Sequence, residues 1–473
     1  MLMRTASQSL TEQLANRFAE RIKSRLLASG ARLPSVRQCA QQQGVSASTV
    51  VAAYDQLLAQ GLVEARKNRG FYVRNMAPDQ QNVGRAAPDS VADNLSLQHS
   101  PINATALIRG MFHGVSSKPQ PGMGVFPSDW LHTTFLASAV RRYTGAKALH
   151  DLSLRYGEPA GDSGLRRALS KKLDALNIHA APEQIITTVG ATHALDIVSR
   201  TLLRAGDFVM VEEPGWAIEF ARLNALGMRI LPVPRTAAGP DLGVMASYCK
   251  LHAPKLFVSV SVLHNPTGYC LTPGSAHRVL QLANTHDFHI LEDDTYSHLA
   301  AEHATRLCAL DGLQRTIYVS GFAKILAPGW RVGYIAAPTG LFERLLDTKL
   351  LASLTTPALL EKALAWCIDQ GQLRRHAERI CSRLDVARAR SVRLALAYGC
   401  TFAAEPAGLF GWVDTATDTE TLAQRMLDEG YLLAPGALFH ATQQPSTLMR
   451  INFATTQDAA FWQVFARLRD AMR

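Results

Sequence analysis

The sequence contains no run approaching eighteen apolar residues, which excludes a membrane-spanning helix. Its opening, MLMRTASQSLTEQ, lacks the apolar stretch of an export signal, so a cytoplasmic protein is expected. Cysteine is sparse. The seven residues, at 39, 249, 270, 308, 367, 381 and 400, are odd in number and never form a C-x-x-C. That spacing predicts no disulfide frame and no zinc or other metal site, and it suits thiols in a reducing compartment. Gly 32 and Pro 22 are ordinary counts for this length, excluding collagen-like and low-complexity chains. No internal repeat is visible. What is present is globular material: 473 residues, 47% hydrophobic and 19% charged, enough for a large core and more than one domain.

Charge is unevenly placed. Lys+Arg number 49 against 39 Asp+Glu, a net +10. Residues 1–75 hold eleven cations against four acids (Glu12, Glu20, Asp55 and Glu64), a net +7 that leaves +3 for the other 398 residues. A small basic module is thus attached to a large, nearly balanced body, and the partner expected of it is an acidic polymer. A solvated basic face without a partner is the alternative reading. Between the two, residues 76–94 (MAPDQQNVGRAAPDSVADN) hold two prolines and no aromatics. They read as a linker, placed at 76–100.

Three helices are expected in the basic module. Leu10–Leu27 carries Leu14, Phe18, Ile22 and Leu26 at a spacing of four, one buried stripe. Ser29-Gly30-Ala31 ends it, and Ser35 caps a second helix, Val36–Gln42, that stops at Gly44. Ser46 caps a third, Ala47–Gln60, buried through Val50, Tyr54, Leu57 and Leu58. Two helices split by Gln43-Gly44-Val45-Ser46 match a helix-turn-helix, whose second helix enters the DNA major groove. Leu62–Arg66 and Gly70–Val73 predict a hairpin, and its basic turn, Lys67-Asn68-Arg69-Gly70, can reach phosphates or the minor groove.

The segments R-L-P-S-V-R, G-V-S-A-S-T-V-V-A-A-Y-x-x-L and G-L-V-E-A-R-x-x-x-G-F-Y-V resemble the winged helix-turn-helix of GntR-type bacterial repressors, over roughly residues 10–74. The resemblance implies a double-stranded DNA operator as partner, with Arg37, Ser46, Ser48, Thr49, Arg66 and Gly70 at the DNA. Ala47 stands where the family frequently has Arg, so a base contact there is expected to be missing. Surface solubility is the alternative role for Arg37 and Arg66.

From about residue 150, apolar strands alternate with amphipathic helices. Strands are expected at Ile185–Val189, Phe208–Val211, Leu256–Val260, His289–Glu292 and Thr316–Val319, and helices at 192–203 and 274–286. That order predicts an α/β body with a mostly parallel sheet covered on both faces. Ligands of such sheets sit at the carboxyl ends of the strands. Each strand here is followed by chemistry. Gly190-Ala191-Thr192 opens a helix and suits a phosphate. Glu213-Pro214-Gly215-Trp216 brings an indole, His264-Asn265-Pro266-Thr267-Gly268 an amide, and Glu292-Asp293-Asp294-Thr295-Tyr296 carboxylates and a phenol. The fifth strand is followed by Ser320-Gly321-Phe322-Ala323-Lys324 and then by Arg331. A phosphate site, an aromatic plate, a carboxylate and a lysine amine on one rim describe pyridoxal 5'-phosphate.

The order Y-G-x-x-x-G, G-A-T, P-G-W, N-P-T-G, D-x-x-Y, K, R-x-G-Y and a final R resembles fold-type I, aspartate-aminotransferase-like enzymes, over roughly residues 120–473. The resemblance implies a large subdomain at about 150–340 and a smaller C-terminal α+β subdomain at about 341–473, within a body of 101–473. It implies that Lys324 forms a Schiff base with the cofactor, that Asp293 pairs with the pyridine nitrogen, and that Asn265 and Tyr296 bond the phenolic oxygen. Trp216 would stack on the ring. Ala191, Thr192 and Arg331 would hold the phosphate, Tyr156 would reach it from a second subunit, and Arg450 would grip a substrate or effector carboxylate. Alternatives stay open: Trp216 as a core aromatic, Arg450 as a surface charge, and Asp294 in place of Asp293, although the step to Tyr296 favours Asp293. His264 reads as structural. The family's serines three and one residues before the lysine are Gly321 and Ala323 here, so the phosphate hydroxyl is expected at Ser320 instead.

A GntR-like reader joined to such a body resembles the MocR-type (GabR- and PdxR-like) transcription regulators. That implies a homodimer and an amino compound, or the cofactor itself, as effector. An active aminotransferase carrying a DNA-binding domain is the alternative, and a scaffold that no longer binds the cofactor is a third reading.

Overall fold

Helix Leu10–Lys23 buries Leu14, Phe18 and Ile22, the stripe that the spacing of four predicts. The structure, a computed structural model, describes residues 9–23, 27, 30–66, 69–74 and 118–472. The predicted continuation through Leu26, Ser29, the wing-turn residues Lys67 and Asn68, and the 76–100 linker lie outside the described residues. Helix Val36–Gln43 starts where the Ser35 hydroxyl accepts from Gln38 N, and it ends at Gly44 in the left-handed region, φ 66°. Helix Ala47–Ala59 is capped in the same way by Ser46, which accepts from Thr49 N. Its buried face is Val50, Ala53, Tyr54 and Leu57, and Leu58 is only half-buried. Strands β1 (Val63–Arg66) and β2 (Gly70–Val73) pair antiparallel, with Arg32 bridging to Tyr72 as a third edge. Tyr54 pins the module together. Its ring meets Phe18 at 5.7 Å and Phe71 at 4.9 Å, and its hydroxyl donates to Pro34 O at 2.8 Å.

The body is built on seven strands: β3 (Ile185–Thr188), β4 (Phe208–Glu213), β5 (Arg229–Pro234), β6 (Leu256–Ser259), β7 (His289–Asp293), β8 (Thr316–Gly321) and β9 (Gly333–Ala336). Their order across the sheet is β3-β9-β8-β7-β6-β4-β5. All pairings are parallel except those of β9, which runs antiparallel between β3 and β8. Of the five strands expected from sequence, all are present within one or two residues at their ends. β5 and β9 add to them. Separate apolar clusters cover the sheet: one through Leu195, Val198 and Leu223, another through Met245, Val279 and Phe288. Burial on both faces is why these strands read as continuous apolar runs.

Beyond β9 the chain passes through helices Phe342–Ser353 and Ala358–Asp369 to Gln372–Ala397, a single helix of 26 residues. It then forms a small antiparallel sheet of β10 (Thr401–Phe402), β11 (Phe410–Asp414), β12 (Ala434–Pro435) and β13 (Leu448–Asn452), ordered β10-β11-β13-β12. Residues 120–122 lie along this sheet. Gly122 N donates to Leu432 O at 2.7 Å and Asn452 N to Pro121 O at 3.0 Å. Among the described residues no helix is long and apolar enough to cross a membrane.

Candidate functional site

The rim at the carboxyl ends of β3, β7 and β8 is shaped by glycines. Gly190 takes φ 83° and opens helix Ala191–Leu202, whose first-turn N–H groups have no intrahelical partner. A Cβ at Gly190 would stand 2.5 Å from Arg331 Nη2, and one at Gly333 would stand 2.6 Å from Ala191 N. Only glycine lets the guanidinium and the helix N-terminus meet so closely. Arg331, itself at φ 49°, donates to Val189 O at 3.1 Å. A positive helix end and a guanidinium facing one point form a cradle for a dianion. Gly321 sits against the same helix end, where a Cβ would lie 3.4 Å from Ala191 N.

Next to the cradle lie two cations, Arg450 buried and Lys324 half-buried. Lys324 Nζ donates to Gly124 O at 2.8 Å. Burial and the nearby Arg450 charge bring its pKa down to about 8, against the opposing pull of Asp293. Arg450, on β13 and 5% exposed, donates to Asn265 Oδ1 at 2.9 Å and Gly122 O at 2.6 Å. Its guanidinium lies 4.3 Å from the Phe410 ring centroid and 5.1 Å from that of Phe439. Nε has no partner, and burial lowers the pKa to about 10. Arg450 is therefore no surface charge. Neither cation has a carboxylate in an ion pair among the described residues; each is held by neutral oxygens.

Asp293, at the end of β7, accepts through Oδ1 from Thr295 N at 3.0 Å and from the Thr295 hydroxyl. Burial raises its pKa to about 6. Asp294 is committed elsewhere: Arg306 Nε at 2.6 Å and the Tyr318 hydroxyl at 2.9 Å both donate to its Oδ2. Of the two, it is the charge of Asp293 that bears on Lys324 and Tyr296. Tyr296 is buried edge-on to Phe410 at 5.5 Å, beside Arg450. Trp216 stands half-buried at the start of helix Ala217–Ala225. His264 is buried against Thr267, Nδ1 to Oγ1 2.9 Å, and its pKa is driven well down by burial.

One expected contact, that of Ser320, falls away from this rim. Ser320 is fully buried; its hydroxyl donates to Asp294 O at 2.8 Å and neighbours Ser297 Oγ at 3.4 Å. On β8 it shares a face with Tyr318, whereas Gly321 faces the helix end, so alternation turns the Ser320 hydroxyl away from the phosphate cradle. Tyr156 is 82% exposed, with Leu154 at 70% beside it. Sequence reasoning missed Gly122 and Gly124, whose carbonyls hold the two cations. Nothing short of the fold brings a loop before the first body helix onto β13.

In the reader, Arg37, Ser46, Ser48 and Arg66 are exposed, as is Gly70, and Thr49 is half-buried. Ser46 Oγ lies 2.8 Å from both Ser48 Oγ and Thr49 Oγ1. Arg66 pairs with Glu64 at 2.8 Å and stacks 4.4 Å from the Tyr72 ring centroid. The reader also touches the body. Arg21 pairs with Asp428 at 2.5 Å and donates to Leu427 O at 3.0 Å, and Arg17 donates to Asp428 O. The same turn is held from the other side by the chain entering the body: Lys118 Nζ donates to Glu429 O at 2.8 Å, and Gln120 Oε1 accepts from Leu432 N at 2.7 Å.

A mostly parallel seven-stranded sheet with one inserted antiparallel strand, a rim lysine and a glycine-lined phosphate cradle define a fold-type I transferase-like body, here joined to a winged helix-turn-helix. The chain belongs to the class I and II aminotransferase family over residues 125–468 and, over residues 10–73, to the gntR family of bacterial regulatory proteins. It is 31% identical to the probable rhizopine catabolism regulatory protein MocR of Rhizobium meliloti over 80% of this chain and 76% of that protein. It is 25% identical to the HTH-type transcriptional regulator YisV of Bacillus subtilis (strain 168), over 96% of this chain and 94% of that one. In fold it is similar to LysN, an alpha-aminoadipate aminotransferase of Thermus thermophilus solved with N-(5'-phosphopyridoxyl)-L-leucine, with TM-score 0.70 and 22% identity over 78% of this chain and 97% of that one. The protein thus joins a GntR DNA-binding domain to an aminotransferase-like domain, the architecture of its MocR-type relatives.

Proposed function

We propose that the body is a pyridoxal phosphate-loaded sensor of a carboxylate-bearing amine, and that it sets the DNA affinity of the reader. The carrying observation is that the half-buried Lys324 and the buried Arg450 have neutral oxygens as their hydrogen-bond partners among the described residues, two of them backbone carbonyls of the segment that leads in from the reader. Pyridoxal phosphate is the cofactor that the aminotransferase family supports, and this rim fits it: the Gly190 and Gly333 cradle would be filled by any side chain. When bound, it supplies a carbonyl carbon that joins an amine and a ring that withdraws electrons.

The residues divide the work. Ala191 and Thr192 N–H groups with Arg331 take the phosphate, and Lys324 supplies the amine. Asp293 holds the pyridine nitrogen; the added positive charge would return its pKa from about 6 toward the carboxylate range. Asn265 keeps its amide N–H for the phenolic oxygen while Oδ1 serves Arg450, and Tyr296 donates from beside it. Trp216 covers the ring. Tyr156 completes the phosphate site of a second copy in a homodimer, a reading its 82% exposure supports, and Ser320 takes no part. The bounds 1–75, 76–100 and 101–473 and a cytoplasmic location complete this reading.

Arg450 grips the effector. A carboxylate arriving there competes with Gly122 O, and any reaction of Lys324 withdraws its proton from Gly124 O. Both events loosen one segment, and that segment holds the turn that Arg17 and Arg21 hold from the reader. The change in operator affinity equals the effector's differential affinity for the two arrangements and can be no larger.

The test is operator affinity of the full chain with and without pyridoxal phosphate and a panel of amino acids, run beside a turnover assay with a 2-oxo acid. An amine-dependent shift without sustained turnover is expected. Unchanged affinity throughout removes the sensor. Steady turnover would favour the aminotransferase reading, which the gathering of Asp293, Lys324 and Arg450 on one rim keeps in play. An absorbance band near the visible edge that persists in Lys324→Ala would remove the assignment of that lysine.

A further inference from the structure

The body's positive excess sits on one helix. Residues 76–473 carry a net +3, whereas Gln372–Ala397 holds seven arginines, Glu378 and Asp385, a net +5. The rest of the body is therefore net −2. At 100° per residue the helix sorts these charges. Leu373, Ala377, Ile380, Leu384 and Ala395 face the core. Glu378 and Asp385 fall on one flank with Arg374 and Arg388, and they pair with them at 2.9 and 2.7 Å. Arg375, Arg379, Arg383, Arg390 and Arg393 fall within about 80° of one another on the other flank, all exposed. Of these only Arg383 has an acid partner among the described residues, the exposed Asp129 at 2.7 Å. Val386, 71% exposed, lies in the same row.

A solvated face intersperses signs, because isolated exposed arginines gain nothing from being together and repel one another. This row does the opposite over the 19 residues from Arg375 to Arg393, about 27 Å of helix. Its length spans about eight base pairs at ~3.4 Å each, and a duplex presents a charge every ~1.7 Å of axis. We propose that this arginine row is a second, sequence-independent DNA contact, which takes the phosphate backbone of duplex flanking the site held by the reader. It rests on the reader's engaging DNA. The chain already brings one polyanion to itself, and the row matches that polyanion in sign, spacing and length.

The test uses the full-length, cofactor-loaded protein and a duplex recovered by in vitro selection, in two forms: trimmed to the shortest that binds, and extended by about two helical turns of arbitrary sequence on each side. The variant is Arg375→Gln/Arg379→Gln/Arg390→Gln/Arg393→Gln, with Arg374→Gln/Arg388→Gln as the opposite-flank control and Arg390→Gln/Arg393→Gln as a milder form. Wild type should bind the extended duplex at least tenfold more tightly near 50 mM salt. The fourfold variant should lose that advantage, and its slope of log affinity against log salt should fall by about 0.9 for each phosphate it no longer neutralises. The trimmed duplex should bind all forms alike. An equal slope and affinity on the extended duplex would overturn the row. So would loss of binding to phosphatidylserine-rich vesicles with DNA binding unchanged, which would reassign it to a membrane surface. Failure of the selection to recover any duplex would instead overturn the reading of residues 10–73, and the row's role with it.

Discussion

Two pairs of cations within this body are held in opposite ways. Arg306 is paired with Asp294 at 2.6 Å and Arg235 with Glu212 at 2.5 Å, and Asp294 raises the Arg306 pKa against burial. Lys324 and Arg450 are surrounded by Gly124 O, Gly122 O and Asn265 Oδ1, and both have lowered pKa values, about 8 and about 10. A charge withdrawn from water without a paired counter-charge is costly, and at this rim two of them stand side by side. The first group is architecture. The second, on the reading proposed above, is what meets the cofactor's carbonyl group and an effector carboxylate.

That contrast can be broken by mutation, and the largest effect should come from the paired group. Arg306→Ala leaves Asp294 buried without its counter-charge, and it should cost about 3–5 kcal/mol in denaturant-unfolding experiments. Arg450→Met in the cofactor-free protein should cost far less, because its partners among the described residues are neutral oxygens and two aromatic faces. Equal costs in the two variants would erase the distinction. With ligand present the ranking reverses. Arg450→Met should weaken a carboxylate-bearing amine by about 2–4 kcal/mol in a spectral titration, with the cofactor's own absorbance retained.

Gly190→Ala tests the cradle next. A side chain there meets the Arg331 guanidinium at 2.5 Å at a φ of 83°, so pyridoxal phosphate affinity should drop by about tenfold or more, read by absorbance. The rate of cofactor attachment gives a pH test of the unpaired lysine. Below a pKa of about 8 the Lys324 ammonium has no free electron pair, so the rate should rise about tenfold per pH unit and level off above pH 8. A plateau reached only above pH 10 would place the lysine in ordinary solvent. The smallest effect belongs to Ser320→Ala. Its hydroxyl serves Asp294 O, so cofactor affinity should stay within about twofold while stability falls by about 1 kcal/mol.

Much of this rim was legible in the sequence because each piece follows a strand. Gly190, Asn265, Asp293, Lys324 and Arg331 needed only the apolar runs before them to be placed. The reader was legible for a similar reason: Ser35, Gly44 and Ser46 bracket its helices. Ser320 was misplaced because the choice between the two sides of β8 depends on the pleat; one residue's shift in register moves a hydroxyl from the cradle to the Asp294 carbonyl. Gly122 and Gly124 stayed invisible because a carbonyl acceptor carries no side-chain signature. Their partners lie 328 and 200 residues away in the chain. The arginine row was missed for a different reason: a net charge of +3 averages over a helix at +5 and a remainder of the opposite sign.

The helix that carries that row has a mechanical meaning as well. Gln372–Ala397 is unbroken for 26 residues, about 39 Å, and it runs from the helices packed against the large sheet to the start of the small one at β10. A rod fixed to both parts works as a lever. A tilt of about 5° between the parts would sweep its far end by roughly 3 Å, comparable to the ~3.4 Å rise of one base pair. Closure of the small sheet around an occupant of Arg450 would then be transmitted to the arginines without any change in their own surroundings, because the shaft that joins the two sheets is also the surface that carries the charge.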